Sequence, residues 1–163
     1  MTVDLKTGDK APDFDLPADG GGRISSADLN GKKVVLYFYP KDDTPGCTTE
    51  AQGFTAAAAD FAAAGAVVVG VSKDTVARHD KFKSKYDLGV ILGSDTDGAA
   101  CEAFGVWVEK SLYGRQYMGI ERATFLIDAA GVIRHVWRRV KVKGHAAEVL
   151  AAARSIQPSA ATI

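Results

Sequence analysis

The sequence predicts a single α/β domain in which helices flank a central mixed β-sheet. Two continuous apolar runs, Lys33–Tyr39 and Ala66–Ser72, are typical of strands buried on both faces of a sheet. A helix-length, alanine-rich segment at Pro45–Ala64 separates them, which favours parallel strands joined by a right-handed crossover. Two later runs, Arg122–Asp128 and Val132–Trp137, flank the short turn "AAG" and predict a β-hairpin. That hairpin makes the sheet mixed.

The segment before the first buried strand predicts an N-terminal β-hairpin extension. Asp13–Pro17 forms its first arm, the stretch "ADGGGR" its turn, and the chain returns at Ile24. Ser25 or Ser26 is placed to cap a short helix over "SADLNG", which Gly31 would end.

The remaining elements follow from periodicity and from end signals. Gly65 is the expected end of the first long helix. We place helices at Pro45–Ala64, Thr75–Tyr86, Asp97–Phe104 and His145–Ser155, and a weaker strand at Val90–Asp95. No repeat or linker interrupts this order, so residues 1–163 are predicted to form one domain, with a loose tail at 157–163.

Composition narrows the classes of function. Twenty basic residues balance twenty acidic ones in the 163-residue chain, which favours neither nucleic acid nor a membrane surface as a partner. No apolar run approaches the roughly 20 residues of a membrane span, and the start lacks the apolar core of a secretory signal. Two cysteines, Cys47 and Cys101, make a poor disulfide framework, so we expect a cytoplasmic protein.

No cofactor or metal is expected. The histidines, His79, His135 and His145, are scattered and show no ligand spacing with the cysteines. The stretch "GAVVVGVSKD" has no G-x-G-x-x-G pattern, so nucleotide binding is also unsupported.

The setting of Cys47 indicates a reactive thiol. Thr44 is a suitable N-cap and Pro45 suits the first helical position, which places Gly46 and Cys47 in the first helical turn. Unpaired backbone N–H groups and the positive end of the helix there favour a thiolate over a thiol. Gly46 removes a side chain beside the sulfur, and Pro40 fixes the preceding loop. The pattern predicts an exposed nucleophilic sulfur, although a cysteine that merely fills the helix start remains an alternative at this point.

The stretch "YPKDDTPGCTTE" resembles the signature of the peroxiredoxins. The resemblance continues through "GDKAPDFDLP", "VVLYFYP", "GVSKD", "LGSDTDGAACEAFGVW", "EKSLYGRQYMGIERATFLID" and "GVIRHVWRRVKVKGH". Together these segments are similar to the bacterioferritin-comigratory (PrxQ) subfamily over most of the chain. The resemblance implies a thioredoxin-like fold and a thiol-dependent peroxidase that reduces hydrogen peroxide and organic hydroperoxides.

The resemblance also implies roles for individual residues. Cys47 would attack one peroxide oxygen and become a sulfenic acid. The Thr44 hydroxyl would hydrogen-bond the bound peroxide or the thiolate, and the amides of Gly46 and Cys47 would stabilise the shifting charge. Arg122 would hold its guanidinium against the thiolate and the peroxide. Glu50, on the Cys47 face of the helix, would orient Arg122, or it is an ordinary first-turn acid that complements the helix dipole.

The chain departs from many relatives in lacking a resolving cysteine at the usual positions. Gln52 and Lys83 occupy the two positions where the resemblance implies one. Cys101, among small residues on a short predicted helix, is interpreted as buried and structural, with a resolving role as the alternative. We therefore expect a one-cysteine cycle in a monomer, regenerated by thioredoxin or another external thiol.

Two other classes of function have less support in the sequence. A thioredoxin-like thiol–disulfide oxidoreductase needs a C-x-x-C pair, whereas Cys47 is followed by "TTE". A non-catalytic, chaperone-like binding protein has no specific feature in its favour, and peroxide consumption would exclude it.

Overall fold

A five-stranded mixed β-sheet forms the centre of this computed structural model, which describes residues 4–156. The strands are β1 (Asp15–Pro17), β2 (Arg23–Ser25), β3 (Lys33–Phe38), β4 (Ala66–Ser72), β5 (Ile91–Ser94), β6 (Trp107–Leu112), β7 (Arg115–Ile120), β8 (Ala123–Ile127) and β9 (Ile133–Trp137). The helices are α1 (Pro45–Ala56), α2 (Ala58–Ala63), α3 (Val76–Tyr86), α4 (Ala99–Ala103) and α5 (His145–Ser155).

The central sheet has the order β5-β4-β3-β8-β9. Strands β3, β4 and β5 are parallel, whereas β8 and β9 are antiparallel to their neighbours. This arrangement confirms the predicted mixed sheet, its parallel crossover and its late hairpin. Strands β1 and β2 pair as the predicted N-terminal hairpin, closed by a short 3₁₀ turn at Asp19–Gly21.

Alternation along β3 divides the core into two apolar layers. Val35, Tyr37 and Tyr39 face the layer that contains Cys47, whereas Leu36 and Phe38 face the layer that contains Cys101. Side chains of successive strand residues point to opposite faces of a sheet. The sheet therefore stands between the two cysteines.

The short helix predicted over "SADLNG" is wrong, because residues 26–31 form turns. The Ser25 hydroxyl does accept the N–H of Asp28 at 3.1 Å, as a cap would. Gly31 then takes a positive φ of 87° and ends the segment. The N–H groups of Leu29 and Asn30 bond three residues back, to the carbonyls of Ser26 and Ala27, at 3.2 and 3.3 Å, so the segment forms successive turns and not an α-helix.

The long helix predicted at Pro45–Ala64 is two helices, α1 and α2. The break lies at Ala57, whose φ of −95° and ψ of 5° leave the helical range. Two residues earlier, the Thr55 hydroxyl donates to the Ala51 carbonyl at 2.7 Å and accepts the N–H of Gly89 at 3.0 Å. Such threonine bonds to the helix backbone favour bending, and Gly65 ends α2 with a φ of 77°, as predicted.

A second hairpin, β6–β7, was missing from the element-by-element prediction. Its two-residue turn, Tyr113 and Gly114, has φ values of 52° and 79°, as a type I′ turn requires. The "YG" dipeptide was an available signal for it. Strand β7 ends two residues before Arg122, so this hairpin borders the residues described below.

No helix within residues 4–156 is long and apolar enough to cross a membrane. The loose tail predicted at 157–163 lies outside the described residues. The assignment of 1–163 to one domain stays a prediction.

Candidate active site

The loop between β3 and α1 brings Cys47 to the start of a helix. Thr44 is the N-cap in extended conformation, and Pro45 begins α1. The Thr44 side chain makes no capping bond, and its hydroxyl donates to the Lys41 carbonyl at 2.9 Å. Thr44 is the N-cap, as predicted, but without a side-chain capping bond, so the lone pairs of Thr44 Oγ1 stay free to accept a hydrogen bond.

Cys47 is buried rather than exposed, which corrects the prediction of an exposed sulfur. Only 1% of the residue is accessible, because it packs in the apolar layer with Tyr37, Tyr39 and Ala51. The sequence indicates that Cys47 starts a helix, but not that the helix start presses against the sheet.

Arg122 connects Cys47 with Glu50. Its Nη2 donates to Cys47 Sγ at 3.3 Å, and its Nη1 donates to Glu50 Oε1 at 2.6 Å. The contact expected between Glu50 and Arg122 is therefore present. The Val140 N–H donates to the Arg122 carbonyl at 3.0 Å and holds the backbone of the arginine.

Gly46 lets Arg122 come close to the start of α1. A Cβ built on Gly46 would lie 3.1 Å from Arg122 Nη2. The missing side chain makes room for the guanidinium, so Gly46 acts on the arginine as well as on access to the sulfur. Pro40 is exposed at the start of the loop, immediately after buried Tyr39.

Glu50 is buried, and only one of its two carboxyl oxygens has a hydrogen-bond partner. Its side chain is 1% exposed and its Oε2 has no hydrogen-bond partner. Burial raises the pKa of Glu50 to about 7, although the charge and the hydrogen bond of Arg122 lower it. The charge-assisted bond to Arg122 therefore weakens as pH falls below neutrality.

Comparison with known proteins identifies the family. Residues 7–136 match the model of the AhpC/TSA family. The putative peroxiredoxin bcp of Coxiella burnetii is 55% identical over 148 residues, which cover 91% of this chain and 98% of that protein. Peroxiredoxin Bcp of Bacillus subtilis is 50% identical over 150 residues, covering 92% and 94%.

The chain is a peroxiredoxin of the Bcp/PrxQ subfamily. Solved structures agree with this assignment. Peroxiredoxin Q of Xanthomonas campestris superimposes with a TM-score of 0.83 at 47% identity, over 87% of this chain and 90% of that one. A PrxQ variant from Xylella fastidiosa gives a TM-score of 0.87 at 40% identity, over 92% and 96%. The thioredoxin-like fold implied by the resemblance is confirmed, and as a peroxiredoxin the chain is a thiol-dependent peroxidase.

Cys101 of this peroxiredoxin lies in the other apolar layer. It is fully buried, and its N–H donates to Asp95 Oδ2 at 2.8 Å. Burial, followed by the nearby Asp95 carboxylate, raises the pKa of the Cys101 thiol. Both effects keep the sulfur neutral, which agrees with the structural interpretation of Cys101.

The structure also places Gln52 and Lys83, the residues at the two positions where a resolving cysteine was expected. Gln52 is exposed on α1. Lys83, on α3, forms an ion pair with Asp19 at 2.7 Å. This ion pair ties α3 to the turn of the N-terminal hairpin.

Sequence reasoning missed three charged or titratable residues near the site. Asp42 lies in the loop before Cys47, and His79 on α3 contacts it. Lys110 on β6 has its pKa lowered, first by burial and then by the charge of Arg122. The "DD" of the signature was the available signal for Asp42, whereas His79 and Lys110 had none.

The raised pKa of Glu50 predicts a pH-dependent stability. Because the folded-state pKa is about 7, against 4.5 for an ordinary glutamate side chain, the native state holds a proton that the unfolded state loses between these values. Glu50 therefore destabilises the fold as pH rises through that window, by an amount on the order of 3 kcal/mol. Glu50→Gln should match the parent near pH 5 and exceed its free energy of unfolding at pH 8 in urea titrations. Equal stability at pH 8 would contradict the assignment.

Proposed function

We propose that this peroxiredoxin reduces hydrogen peroxide and organic hydroperoxides through Cys47 in a one-cysteine cycle. The observation that carries the proposal is Arg122, which contacts Cys47 Sγ at 3.3 Å and Glu50 Oε1 at 2.6 Å at the start of α1. The bacterioferritin comigratory protein of X. campestris, 46% identical to this chain, has alkyl peroxide reduction activity. That activity supports the organic substrates.

In the first half of the cycle the Cys47 thiolate attacks the terminal oxygen of ROOH. The S–O bond forms as the O–O bond breaks, so that Cys47 is oxidised to sulfenic acid and RO⁻ leaves to become ROH with a proton from solvent. Negative charge moves from sulfur to the leaving oxygen. Arg122 and the free N–H groups of the first turn of α1 lie where this charge is stabilised.

Thr44 is proposed to orient the peroxide. Its hydroxyl hydrogen is engaged by the Lys41 carbonyl, so Oγ1 faces a ligand as an acceptor. A peroxide O–H can donate to it, which selects the protonated oxygen for attack. Gly46 admits Arg122, and Pro40 begins the loop that holds these groups.

The second half of the cycle is proposed to use an external thiol such as thioredoxin. The incoming thiol attacks the Cys47 sulfenic acid, forms a mixed disulfide and releases water, and a second thiol then frees Cys47. The opposite positions of Cys47 and Cys101 across the sheet support this route, because a disulfide needs Cα atoms within about 7 Å.

One experiment tests the oxidative half directly. The reduced protein receives one equivalent of hydrogen peroxide, with and without a sulfenic acid trap, and its intact mass is measured. We expect a gain of one oxygen atom, which the trap converts to an adduct at Cys47. An unchanged mass, or an adduct at Cys101, would contradict the proposal.

Cys101→Ser is expected to keep turnover with a thioredoxin system within a few-fold of the parent. The substitution leaves the Arg122 contacts untouched on the other side of the sheet. Non-reducing peptide mapping of the peroxide-treated parent should show no dominant Cys47–Cys101 bond. A quantitative bond together with lost turnover in Cys101→Ser would establish a two-cysteine cycle instead.

We also propose that the enzyme acts as a monomer in the cytoplasm. Two free cysteines in separate layers suit a reducing compartment. Light scattering coupled to gel filtration, and cell fractionation, test these two points.

A further inference from the structure

A buried histidine on α3 contacts the loop that precedes Cys47. His79 Nδ1 lies 2.6 Å from Asp42 Oδ2, and His79 Nε2 lies 2.9 Å from the Gly93 carbonyl oxygen. The side chains of His79 and Asp42 are 0% and 2% exposed. The mechanism above uses neither side chain.

The partners of His79 determine its charge. The Gly93 carbonyl can only accept, so Nε2 must donate to it. Asp42 accepts the Tyr39 hydroxyl hydrogen on Oδ1, which leaves Oδ2 as the acceptor for Nδ1. Burial raises the pKa of Tyr39 well above 10, so Tyr39 stays a donor. With Asp42 ionised, both ring nitrogens donate, which makes His79 an imidazolium paired with the Asp42 carboxylate, and the raised pKa of His79 agrees with this state.

The same cluster does not suit a metal ion. Asp42, Asp74 and His79 offer ligand atoms within 4.8 Å of one another. Both nitrogens of His79 are already hydrogen-bonded, however, and Asp74 Oδ2 accepts the Asp42 N–H at 2.8 Å and the Ser72 hydroxyl at 2.7 Å. Arg78 donates to Asp74 Oδ1 at 3.0 Å. These hydrogen bonds form a network that holds the loop preceding Cys47.

The next residue of the loop is also held by α3. Asp43 accepts Tyr86 Oη at 2.6 Å and Lys85 Nζ at 2.8 Å. Its φ of 61° lies in the left-handed region, which aspartate adopts more readily than most residues with a side chain. The loop therefore turns sharply immediately before the N-cap Thr44, and contacts from α3 hold this turn.

We propose that His79 is a positioning residue for the reaction of Cys47: its ion pair with Asp42 holds the loop 40–44, and the reaction slows when His79 loses its proton. The proposal rests on the peroxidase function above. The charged or titratable groups that face His79 are Asp42 in the loop, Tyr39 at the end of β3 and Asp74 after β4, with Arg78 on Asp74. Neutral His79 would turn one lone pair toward an acceptor, so one of its two bonds would be lost.

The ion pair between His79 and Asp42 sets the direction in which pH changes the reaction of Cys47. Burial lowers the pKa of His79, but the hydrogen bond and charge of Asp42 outweigh it, and the pKa is raised above 6.5. The stabilisation is fully present below the unfolded-state pKa and is lost as pH rises through the folded-state value. The loop is therefore released on the alkaline side.

The kinetic test compares His79→Gln with the parent in the Cys101→Ser background. Stopped-flow oxidation of Cys47 by hydrogen peroxide is followed from pH 6 to 9.5. We expect the parent rate constant to fall on the alkaline side, and the variant to be about tenfold slower at pH 7 without that fall. Val149→Ala is the control, because Val149 is a buried residue of α5 in the apolar layer of Cys47 and makes no bond to the loop. It should keep the alkaline fall. Loss of the fall in Val149→Ala, or its persistence in His79→Gln, overturns the proposal.

A nitrogen NMR titration measures the protonation state of His79 independently of peroxidase activity. At pH 7 the parent should show His79 with protons on both nitrogens. In Asp42→Asn the amide would donate to Nδ1, so a neutral imidazole with its proton on Nε2 is expected. A neutral His79 in the parent at pH 7 overturns the ion pair. If the ion pair is present and peroxide is not reduced, the proposed function fails while the loop contact stands.

Discussion

Cys47→Ser is expected to abolish peroxide reduction, lowering turnover by more than about a thousandfold. The serine hydroxyl is not appreciably ionised at neutral pH, even with Arg122 at the position that contacts the sulfur. Peroxide consumption in a thioredoxin-coupled assay measures the effect. Circular dichroism and urea unfolding check that the fold is retained, since the oxygen replaces a buried sulfur in the layer of Tyr37 and Ala51.

The matched control for this variant is Cys101→Ser, which makes the same atomic change in the other apolar layer. Turnover should survive in the control and disappear in Cys47→Ser. Substantial turnover in Cys47→Ser would transfer the reaction to Cys101 and overturn the assignment of the nucleophile.

Arg122→Met is expected to slow the oxidation of Cys47 by about 100-fold. The substitution removes the cation that favours the thiolate and stabilises the leaving oxygen. It also leaves Glu50 buried without its partner, which should lower the free energy of unfolding by about 3 kcal/mol at pH 8. Stopped-flow oxidation and the pH dependence of Cys47 alkylation, measured in the Cys101→Ser background, report the first effect, and urea unfolding reports the second.

Two further variants separate these effects. Arg122→Met with Glu50→Gln should recover stability at pH 8 but not the rate, because the introduced amide is neutral and the cation is still absent. Arg122→Lys keeps a charge, but one ammonium group replaces the two guanidinium arms that contact Cys47 and Glu50. We expect it to fall between the parent and Arg122→Met. A parent-like rate in Arg122→Met would mean that the start of α1 alone activates the sulfur.

These variants also relate stability to function in the site. Glu50 is buried with an unpaired Oε2, and its ionisation lowers stability near neutral pH. Its carboxylate contacts Nη1 of Arg122 while Nη2 reaches the sulfur. The site thus keeps an unfavourable buried carboxyl in return for a fixed orientation of the arginine, a combination that is expected at functional sites.

The sequence by itself determined those elements whose signals lie within a few neighbouring residues. Strands β3 and β4 were predicted because strands buried on both faces require continuous apolar runs, and the start of α1 was predicted from Thr44 and Pro45. The signature around Cys47 identified the family. The same reasoning failed for the helix over "SADLNG", because a capping serine is present but the N–H groups after it bond three residues back and form turns.

Only the tertiary structure decided which groups meet and which are buried. Arg122 lies 75 residues from Cys47 in sequence and His79 lies 37 from Asp42, and strand pairing and helix docking bring them within bonding distance. The burial of Cys47 and its separation from Cys101 likewise follow from the alternation of β3 side chains between two layers. Capping and hydrophobic periodicity act over a few residues, whereas these contacts depend on how whole elements pack.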